Sequence, residues 1–361
     1  MRPAIPVIIA CLAAPFAAQA QAQSQAQSQA QTQTQSPLPP RDEPAKSIPV
    51  PDTVSPAMQA IIAQPLRTDW DRPPTTPEGW KQLSDSFATK AAPQIGPMAE
   101  RLRVSVEATL IDGVRAYTIT PTDIPAENRN RVAIHVHGGC YVLNPREAAL
   151  PEAMMLAGFG RMKVISVDYR MPPEAFFPAA LDDGMTVYKA VLRTTAPGRV
   201  AVFGSSAGGA LTLAMMLRAK QDGLPMPGAI APGTPMADTT KRGDSFQTNA
   251  LVDNVLVSPD GFCHAATTFY AAGHDLSDPM LSPVYGDVKG FPPAILTTGT
   301  RDLLLSNTVR MHRKLRQAGV DAVLQVFEGQ SHAQFYRDDR VPEVKEAFGE
   351  IASFLDRHLE R

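Results

Sequence analysis

Three side chains in this sequence have the types, order and local settings that acyl transfer by a serine requires. Residues 204–208 read GSSAG, between a short β-branched and aromatic run and a pattern of strong helix formers. A G-x-S-x-G sequence in that setting predicts a sharp strand-to-helix turn that presents the central serine, Ser206, above a sheet. Glycines flank such a serine because the turn is strained and crowded. The alternative is a Gly/Ser turn that only reverses the chain.

A serine hydroxyl is a weak nucleophile, so it needs a general base, and the base needs a carboxylate to orient it. Of the seven histidines, His332 lies on a loop just after an apolar, β-branched run at 322–327. Open α/β sheets place catalytic groups on loops at the carboxyl ends of strands. Asp302 stands just beyond another such run, at 293–298. The chain order Ser206, Asp302, His332 is the one associated with this type of turn.

Other interpretations of the base and the acid stay open at this point. His332 could be a solvated loop residue, and Asp302 could cap the helix that follows it. Three further aspartates are rivals for the acid, although they fall in a proline-rich connection rather than at a strand end: Asp275, Asp278 and Asp287.

Acyl transfer also builds negative charge on the former carbonyl oxygen, and backbone amides commonly stabilise that charge. Residues 137–140 read HGGC directly after a predicted strand, so Gly138, Gly139 and Cys140 offer closely spaced amides. Ala207 offers another at the start of a helix, where the helix dipole also favours negative charge. These four residues are the predicted oxyanion hole, and His137 is predicted to hold the loop in place.

Strands that alternate with helices must position these groups. A hairpin is predicted around residues 112 and 113, and five apolar strands are expected at 131–136, 163–167, 200–203, 293–298 and 322–327. Helical patterns lie between several of them, at 178–192, 207–221 and 306–318. Near-continuous apolar strands separated by helices are typical of an α/β fold. The prediction is a mostly parallel central sheet with helices on both faces.

The first 56 residues are predicted to lie outside this domain. Residues 1–20 resemble an export signal: Arg2, then a short apolar stretch, then small residues at an A-x-A site. A lipoprotein site at Cys11 is a weaker alternative, and the stretch is too short and too broken by proline for a stable membrane span. Residues 21–56 are rich in Gln, Ala and Ser and then in Pro, which predicts a disordered tether. The domain then covers residues 57–361.

Two segments of this domain are expected to form a helical lid. Residues 57–100 contain helical patterns with aromatic anchors, and residues 238–272 form an insertion between two expected strands. The alternative for the first segment is that it only covers an edge of the sheet.

The composition excludes several functional classes. The 361 residues are 44% hydrophobic and 19% charged, with a formal net charge of −2. Such a balance gives no electrostatic footprint for nucleic acid or for an anionic membrane. A phosphate-binding G-x-x-x-x-G-K-[ST] loop and zinc-like Cys/His spacings are absent, so neither cofactor nor metal is expected. Of the three cysteines, Cys140 and Cys263 remain after the signal; an oxidising compartment permits a bridge without implying a disulfide framework.

Several motifs together resemble one known family. They are HGG at 137–139, DYRMPPE at 168–174 with FPAA at 177–180, the turn at 204–208, GTRD at 299–302, and His332. In this order they resemble the hormone-sensitive-lipase-like esterases, the bacterial family IV carboxylesterases of the α/β-hydrolase fold. The resemblance runs from about residue 131 to the C-terminus, is loose over 57–130 and is absent before that. It implies Ser206 as nucleophile, His332 as base, Asp302 as its partner, and a helical lid.

Two residues depart from the family pattern. A third glycine usually stands at the position of Cys140, and an acidic residue at that of Ser205. We expect the amide of Cys140 still to donate if its φ is negative, while its side chain narrows the pocket mouth. Ser205 removes a charge beside the nucleophile. Candidates for the substrate pocket are Tyr141, Ser205 and Phe335.

The sequence therefore predicts an exported serine carboxylesterase, periplasmic or secreted, that hydrolyses small, fairly apolar esters through an acyl-enzyme. A lactonase or amidase on the same triad is the nearest alternative. A ligand-binding pseudoenzyme is disfavoured by the intact triad, and a polymer-binding module would rest on the tether alone. Acyl length, stereochemical preference and oligomeric state do not follow from the sequence.

Overall fold

An eight-stranded sheet forms the centre of the fold in the computed structural model, which describes residues 1, 3, 45 and 47–360. The strands are β1 (Val104–Ile111), β2 (Val114–Pro121), β3 (Val132–Val136), β4 (Lys163–Val167), β5 (Val200–Ser205), β6 (Ala229–Gly233), β7 (Ala294–Gly299) and β8 (Ala322–Phe327). Their order is β1-β2-β4-β3-β5-β6-β7-β8. β2 pairs antiparallel with β1 and β4, and the other neighbours are parallel. The predicted mostly parallel sheet is confirmed.

The burial of the strands explains their composition. Every residue of β3, β5, β6 and β7 is buried, because helices cover both faces at the centre of the sheet. The outer strands β1 and β8 are only partly buried and carry exposed residues. One face is covered by α3 (Leu150–Gly160) and α9 (Pro342–His358), and the other by α4 (Ala179–Leu192), α5 (Ala207–Gln221) and α8 (Leu305–Gln317).

Two helices precede the sheet, α1 (Pro56–Ile62) and α2 (Pro77–Leu102). Helical patterns were expected within residues 57–100, and α2 continues to Leu102 as one helix, through Pro93 and Pro97. It continues because its inner face keeps burying apolar side chains, among them Met98 and Leu102. The insertion after β6 holds α6 (Ser245–Thr248) and α7 (Phe262–Ala271).

The predicted tether reaches too far along the chain. Residues 2 and 4–44, with the lipoprotein alternative at Cys11, and residue 46 lie outside the described residues. Residues 48–56, however, belong to the same compact unit as the sheet. Ser55 caps α1 by accepting a hydrogen bond from Met58 N, and its own amide and hydroxyl donate to Glu343 at 2.6 and 2.7 Å. These hydrogen bonds offset the entropy cost of ordering residues 48–56. Composition alone does not reveal such bonds, because their acceptor, Glu343, is distant in sequence.

The predicted series of strands and helices has no counterpart of β6, α3 or α9. β6 contains Pro232, and proline argues against a central strand because it cannot donate to the ladder. The register of β6 with β7 is accordingly interrupted, with pairs only at Ile230 and Gly233.

None of the helices in the described part of the chain combines the length and the apolar composition of a membrane span.

Candidate active site

Ser206 occupies a strained turn between β5 and α5. Its φ and ψ are 62° and −122°, which L side chains rarely adopt, and α5 begins at the next residue. The turn packs against β3 so closely that a side chain on Gly204 or Gly208 would overlap the carbonyl oxygen of Val136. The amide of Ser206 donates to Gly233 O at 2.9 Å. The structure thus contains the strand–turn–helix that the GSSAG sequence predicts.

Asp302 and His332 meet at the carboxyl ends of β7 and β8. His332 Nδ1 lies 3.0 Å from Asp302 Oδ1, and both side chains are almost fully buried. The hydroxyl of Thr234 also contacts the Asp302 carboxylate and lies 3.3 Å from His332 Nδ1. Because Nδ1 faces the carboxylate, Nε2 is the ring nitrogen left for a reacting group. Ser206 and His332 line the same cavity.

The charge of Asp302 sets the protonation of this imidazole. Burial alone would lower the pKa of His332, but the negative charge and hydrogen bond of Asp302 outweigh it and raise the pKa above its ordinary value. Such a pair stabilises an imidazolium, which is the form a general base takes after it accepts a proton.

The HGGC loop lies beside the nucleophile. A side chain on Gly138 would come within 2.7 Å of Ser205 O and 3.2 Å of Ser206 Cβ. Gly139 has a φ of +117°, and a side chain there would overlap Leu143 O. Within residues 47–360, the amides of Gly138, Gly139 and Ala207 donate to no protein acceptor. The loop therefore presents unused amides close to Ser206.

The side chain of His137 stabilises the HGGC loop. Its Nδ1 lies 2.8 Å from Gly138 O, and its ring stacks on Tyr169 with centroids 3.9 Å apart. Burial lowers the pKa of His137 to about 3, so the ring is neutral at ordinary pH.

Cys140 differs from what the sequence predicts. Its φ is +52°, not negative, and its sulfur forms a disulfide with Cys263 of α7. The negative φ on which the expected donation was conditional is therefore not found, although among the described residues the amide of Cys140 also donates to no protein acceptor. The bond joins the HGGC loop to the insertion across 123 positions of sequence.

A cavity of about 750 Å³ opens above these groups. Ser206, His332 and residues 137–140 line its floor. Its walls come from α1, α2, the segment between them and the insertion, and their apolar members include Ile61, Trp70, Phe87, Met98, Leu256 and Phe262. Charged side chains line it as well, among them Lys90, Arg101, Arg337, Asp338 and Arg340. A concave cleft with convergent polar groups is the usual form of a small-molecule site.

Comparison with known proteins identifies the family. A family model described as the alpha/beta hydrolase fold matches residues 133–336. The crystal structure of an esterase named E25 is 40% identical, with a TM-score of 0.85 over 89% of this chain and 99% of its own. The chain belongs to the hormone-sensitive-lipase-like esterases. An esterase from the bacterial hormone-sensitive lipase family is 29% identical, with a TM-score of 0.68 over 72% of this chain and 86% of its own. An acetyl-hydrolase of Streptomyces hygroscopicus is 28% identical over 64% of this chain and 77% of its own length.

Three residues predicted for the substrate pocket of this esterase do not line the cavity. Tyr141 is buried and stacks on Tyr270 with centroids 4.5 Å apart. Phe335 is buried next to Gly233, where a side chain would meet its ring. Ser205 points into the protein, because successive residues of a strand face opposite sides.

Residues that sequence reasoning missed surround the triad candidates. Ser205 Oγ donates to Glu152 Oε1 at 2.5 Å, so a buried carboxylate does lie beside the nucleophile, although it comes from α3. Thr234 and Asp253 contact His332 from the segments after β6. Local motifs gave no signal for any of them, because 53 to 98 positions of sequence separate them from the residues they contact.

The pH dependence of the esterase should reflect the raised pKa of His332. The base must be neutral to accept a proton, so kcat/KM should fall as the pH drops through that pKa. We expect the midpoint of the acid limb above 6.5, the ordinary pKa of histidine. A pH series of ester hydrolysis in buffers of constant ionic strength measures it; a plateau extending below pH 6 would contradict the expectation.

Replacing Gly139 by alanine should lower kcat by on the order of 100-fold, because the loop must shift to accommodate the new side chain and its amides then miss the oxyanion. Kinetics on a p-nitrophenyl ester would show the change. Gly349→Ala is the matched control: Gly349 lies in α9 with open space around it, so activity should persist and the melting temperature rise slightly. Equal activity of both variants would exclude a role for the loop geometry.

Removing the disulfide should destabilise the protein. Cys263→Ser should lower the free energy of unfolding by about 2–5 kcal/mol, since the bond closes a long loop. Thermal unfolding with and without dithiothreitol tests this: the reductant should lower the melting temperature of the native protein and leave that of Cys263→Ser unchanged. Mass analysis shows whether the disulfide of the native protein has been reduced. An unchanged melting temperature in the reduced native protein would contradict the expectation.

Proposed function

We propose that this esterase is a serine carboxylesterase that uses Ser206 as nucleophile, His332 as general base and Asp302 as its orienting acid. The observation that carries the proposal is the hydrogen bond of 3.0 Å between Asp302 and His332, together with the cavity that His332 and Ser206 both line. The amides of Gly138, Gly139 and Ala207 would form the oxyanion hole.

In the proposed reaction, His332 Nε2 takes the proton of Ser206 while Oγ forms a bond to the carbonyl carbon. The carbonyl oxygen becomes negative and accepts hydrogen bonds from the backbone amides. The tetrahedral species then expels the alkoxide, which leaves as an alcohol with the proton from His332. Water attacks the acyl-enzyme with the same base, and release of the acid restores Ser206.

We propose small, fairly apolar esters as substrates. The apolar members of the cavity wall can pack against an acyl group, and one relative is named an acetyl-hydrolase. The helices α1 and α2 and the insertion at 238–272 would act as the lid, since their residues form those walls. Export to the periplasm or the medium rests on the sequence of residues 1–20 and on the disulfide, which oxidising compartments favour.

Labelling with a fluorophosphonate probe, followed by peptide mass analysis, tests the nucleophile. The adduct should lie on Ser206, and a folded protein that stays unlabelled would overturn the proposal. A p-nitrophenyl series from acetate to dodecanoate then gives the acyl preference, with the highest kcat/KM expected for short chains.

A lactonase or amidase on the same triad is the second candidate, because the same groups attack any activated acyl carbon. Rates on p-nitrophenyl esters, lactones and anilides of matched acyl size separate the three activities.

A further inference from the structure

Asp253 is a buried carboxylate that the proposed reaction does not use. It lies in the insertion between α6 and α7 and is fully inaccessible to solvent. Oδ1 accepts hydrogen bonds from Val255 N and Leu256 N, at 2.8 and 3.0 Å. Oδ2 accepts from Leu303 N at 2.8 Å and from His332 N at 3.2 Å. One carboxylate thus satisfies four backbone amides from three separate segments.

Two of these amides belong to the backbone of the triad candidates. Leu303 directly follows Asp302, and the other amide is that of His332 itself. The two loops leave different strands, β7 and β8, and a shared acceptor fixes the distance between their backbones. The hydrogen bond between Asp302 and His332 depends on that distance.

The segment that carries Asp253 is itself anchored. The side-chain amide of Asn254 donates to Gln64 O at 2.9 Å, and its backbone amide donates to Ser331 Oγ at 3.2 Å. Asn254, Val255 and Leu256 line the cavity. The carboxylate therefore connects the wall of the cavity to the two loops beneath it.

Electrostatics argues that this residue is not placed for stability alone. A carboxylate is costly to bury, and the charges that act most strongly on Asp253 are those of Asp302 and His332 rather than that of a lysine or arginine. Burial, and next the negative charge of Asp302, raise the pKa of Asp253 to about 6, while the charge of His332 opposes them. Its negative charge in turn raises the pKa of His332.

We propose that Asp253 is a positioning residue that holds the Asp302 and His332 loops in the arrangement needed for proton transfer. The inference rests on the proposed function of these two residues. It assigns to the insertion a role in the chemical step, beyond its role in forming the cavity wall.

Asp253→Asn tests the proposal, because asparagine has the same shape but presents only one acceptor oxygen, so one pair of amides loses its partner. We expect kcat per titrated active site to fall 10- to 100-fold, since a displacement of about 1 Å can cost on the order of 100-fold. KM should change less than threefold. The acid limb of kcat/KM should move to lower pH, because a negative charge near His332 is lost; a purely structural role would not move it.

Asp260→Asn is the matched control on the same insertion. Asp260 is exposed and pairs with Lys241, so its variant should keep both kcat and the pH profile. Unchanged kcat and an unmoved acid limb in folded Asp253→Asn would overturn the proposal. Ser206→Ala separates the two ideas: if it retains activity, the proposed function fails, whereas an inactive Ser206→Ala beside a fully active Asp253→Asn removes only this inference.

If Asp253→Asn does not fold, two measurements still decide. Asp253→Glu keeps the charge but moves the carboxylate by one methylene, so kcat should fall while the acid limb stays in place. In the native protein, hydrogen exchange at the amides of Leu303 and His332 should be slow despite their loop positions. Exchange at the rate of an exposed peptide at both amides, or full activity of Asp253→Glu, would overturn the proposal.

Discussion

Ser206→Ala should lower kcat for ester hydrolysis by on the order of 10⁴- to 10⁶-fold, because no other group can form the acyl-enzyme. The melting temperature should stay nearly unchanged. Alanine has the same β-carbon as serine, so it adds no strain to the turn. The hydroxyl of Ser206 forms no hydrogen bond with the described residues, so none is lost. Steady-state kinetics and thermal unfolding on the same preparation measure both quantities.

The neighbouring serine provides the control for this substitution. Ser205 is buried and bonded to Glu152, so Ser205→Ala should keep activity within about tenfold of the native protein. If Ser206→Ala retained turnover and Ser205→Ala lost it, the nucleophile would be assigned to the wrong residue.

Asp302→Asn should lower kcat by on the order of 10⁴-fold. An amide in place of the carboxylate can donate to His332 Nδ1, which leaves the proton on Nε2 and removes the acceptor that Ser206 needs. The variant also loses the charge that raises the pKa of His332, so any residual activity should persist to lower pH. Single-turnover kinetics with an activated ester would measure the loss at the acylation step.

The three rival aspartates serve as controls. Asp275 bonds to Ser277 in its own turn, Asp278 accepts from Met280 N, and Asp287 pairs with Lys220. Because none of these bonds involves His332, which contacts Asp302 instead, their asparagine variants should keep most of the activity. If Asp278→Asn lost its activity while Asp302→Asn kept it, the acid would be assigned to the wrong residue.

Local sequence was enough to predict the parts of this fold that depend on local rules. The apolar strands, the hairpin turn at residues 112 and 113 and the turn at Ser206 follow from periodicity and from glycine spacing. The positions of Asp302 and His332 followed from where strands end in a parallel sheet.

The parts that sequence missed depend on contacts between distant segments. β6 was not predicted because Pro232 interrupts the local strand pattern. Its pairing with β5 nevertheless keeps it in the sheet. The pocket candidates Tyr141 and Phe335 were misplaced because adjacency in sequence to the HGGC loop or to His332 does not determine which way a side chain faces. Asp253 and Glu152 reach the site from other elements, and no spacing rule connects them to it.

The bond between Cys140 and Cys263 closes a covalent ring that contains Ser206 and the strands β4, β5 and β6. If a protease cuts an exposed loop inside this ring, the disulfide still joins the two fragments. Ser206 therefore stays covalently linked to the HGGC loop. Asp302 and His332 lie outside the ring, downstream of Cys263. A single cut between residues 264 and 301 would therefore leave no covalent link between Ser206 and the C-terminal segment with Asp302 and His332, and only non-covalent packing would hold that segment in place.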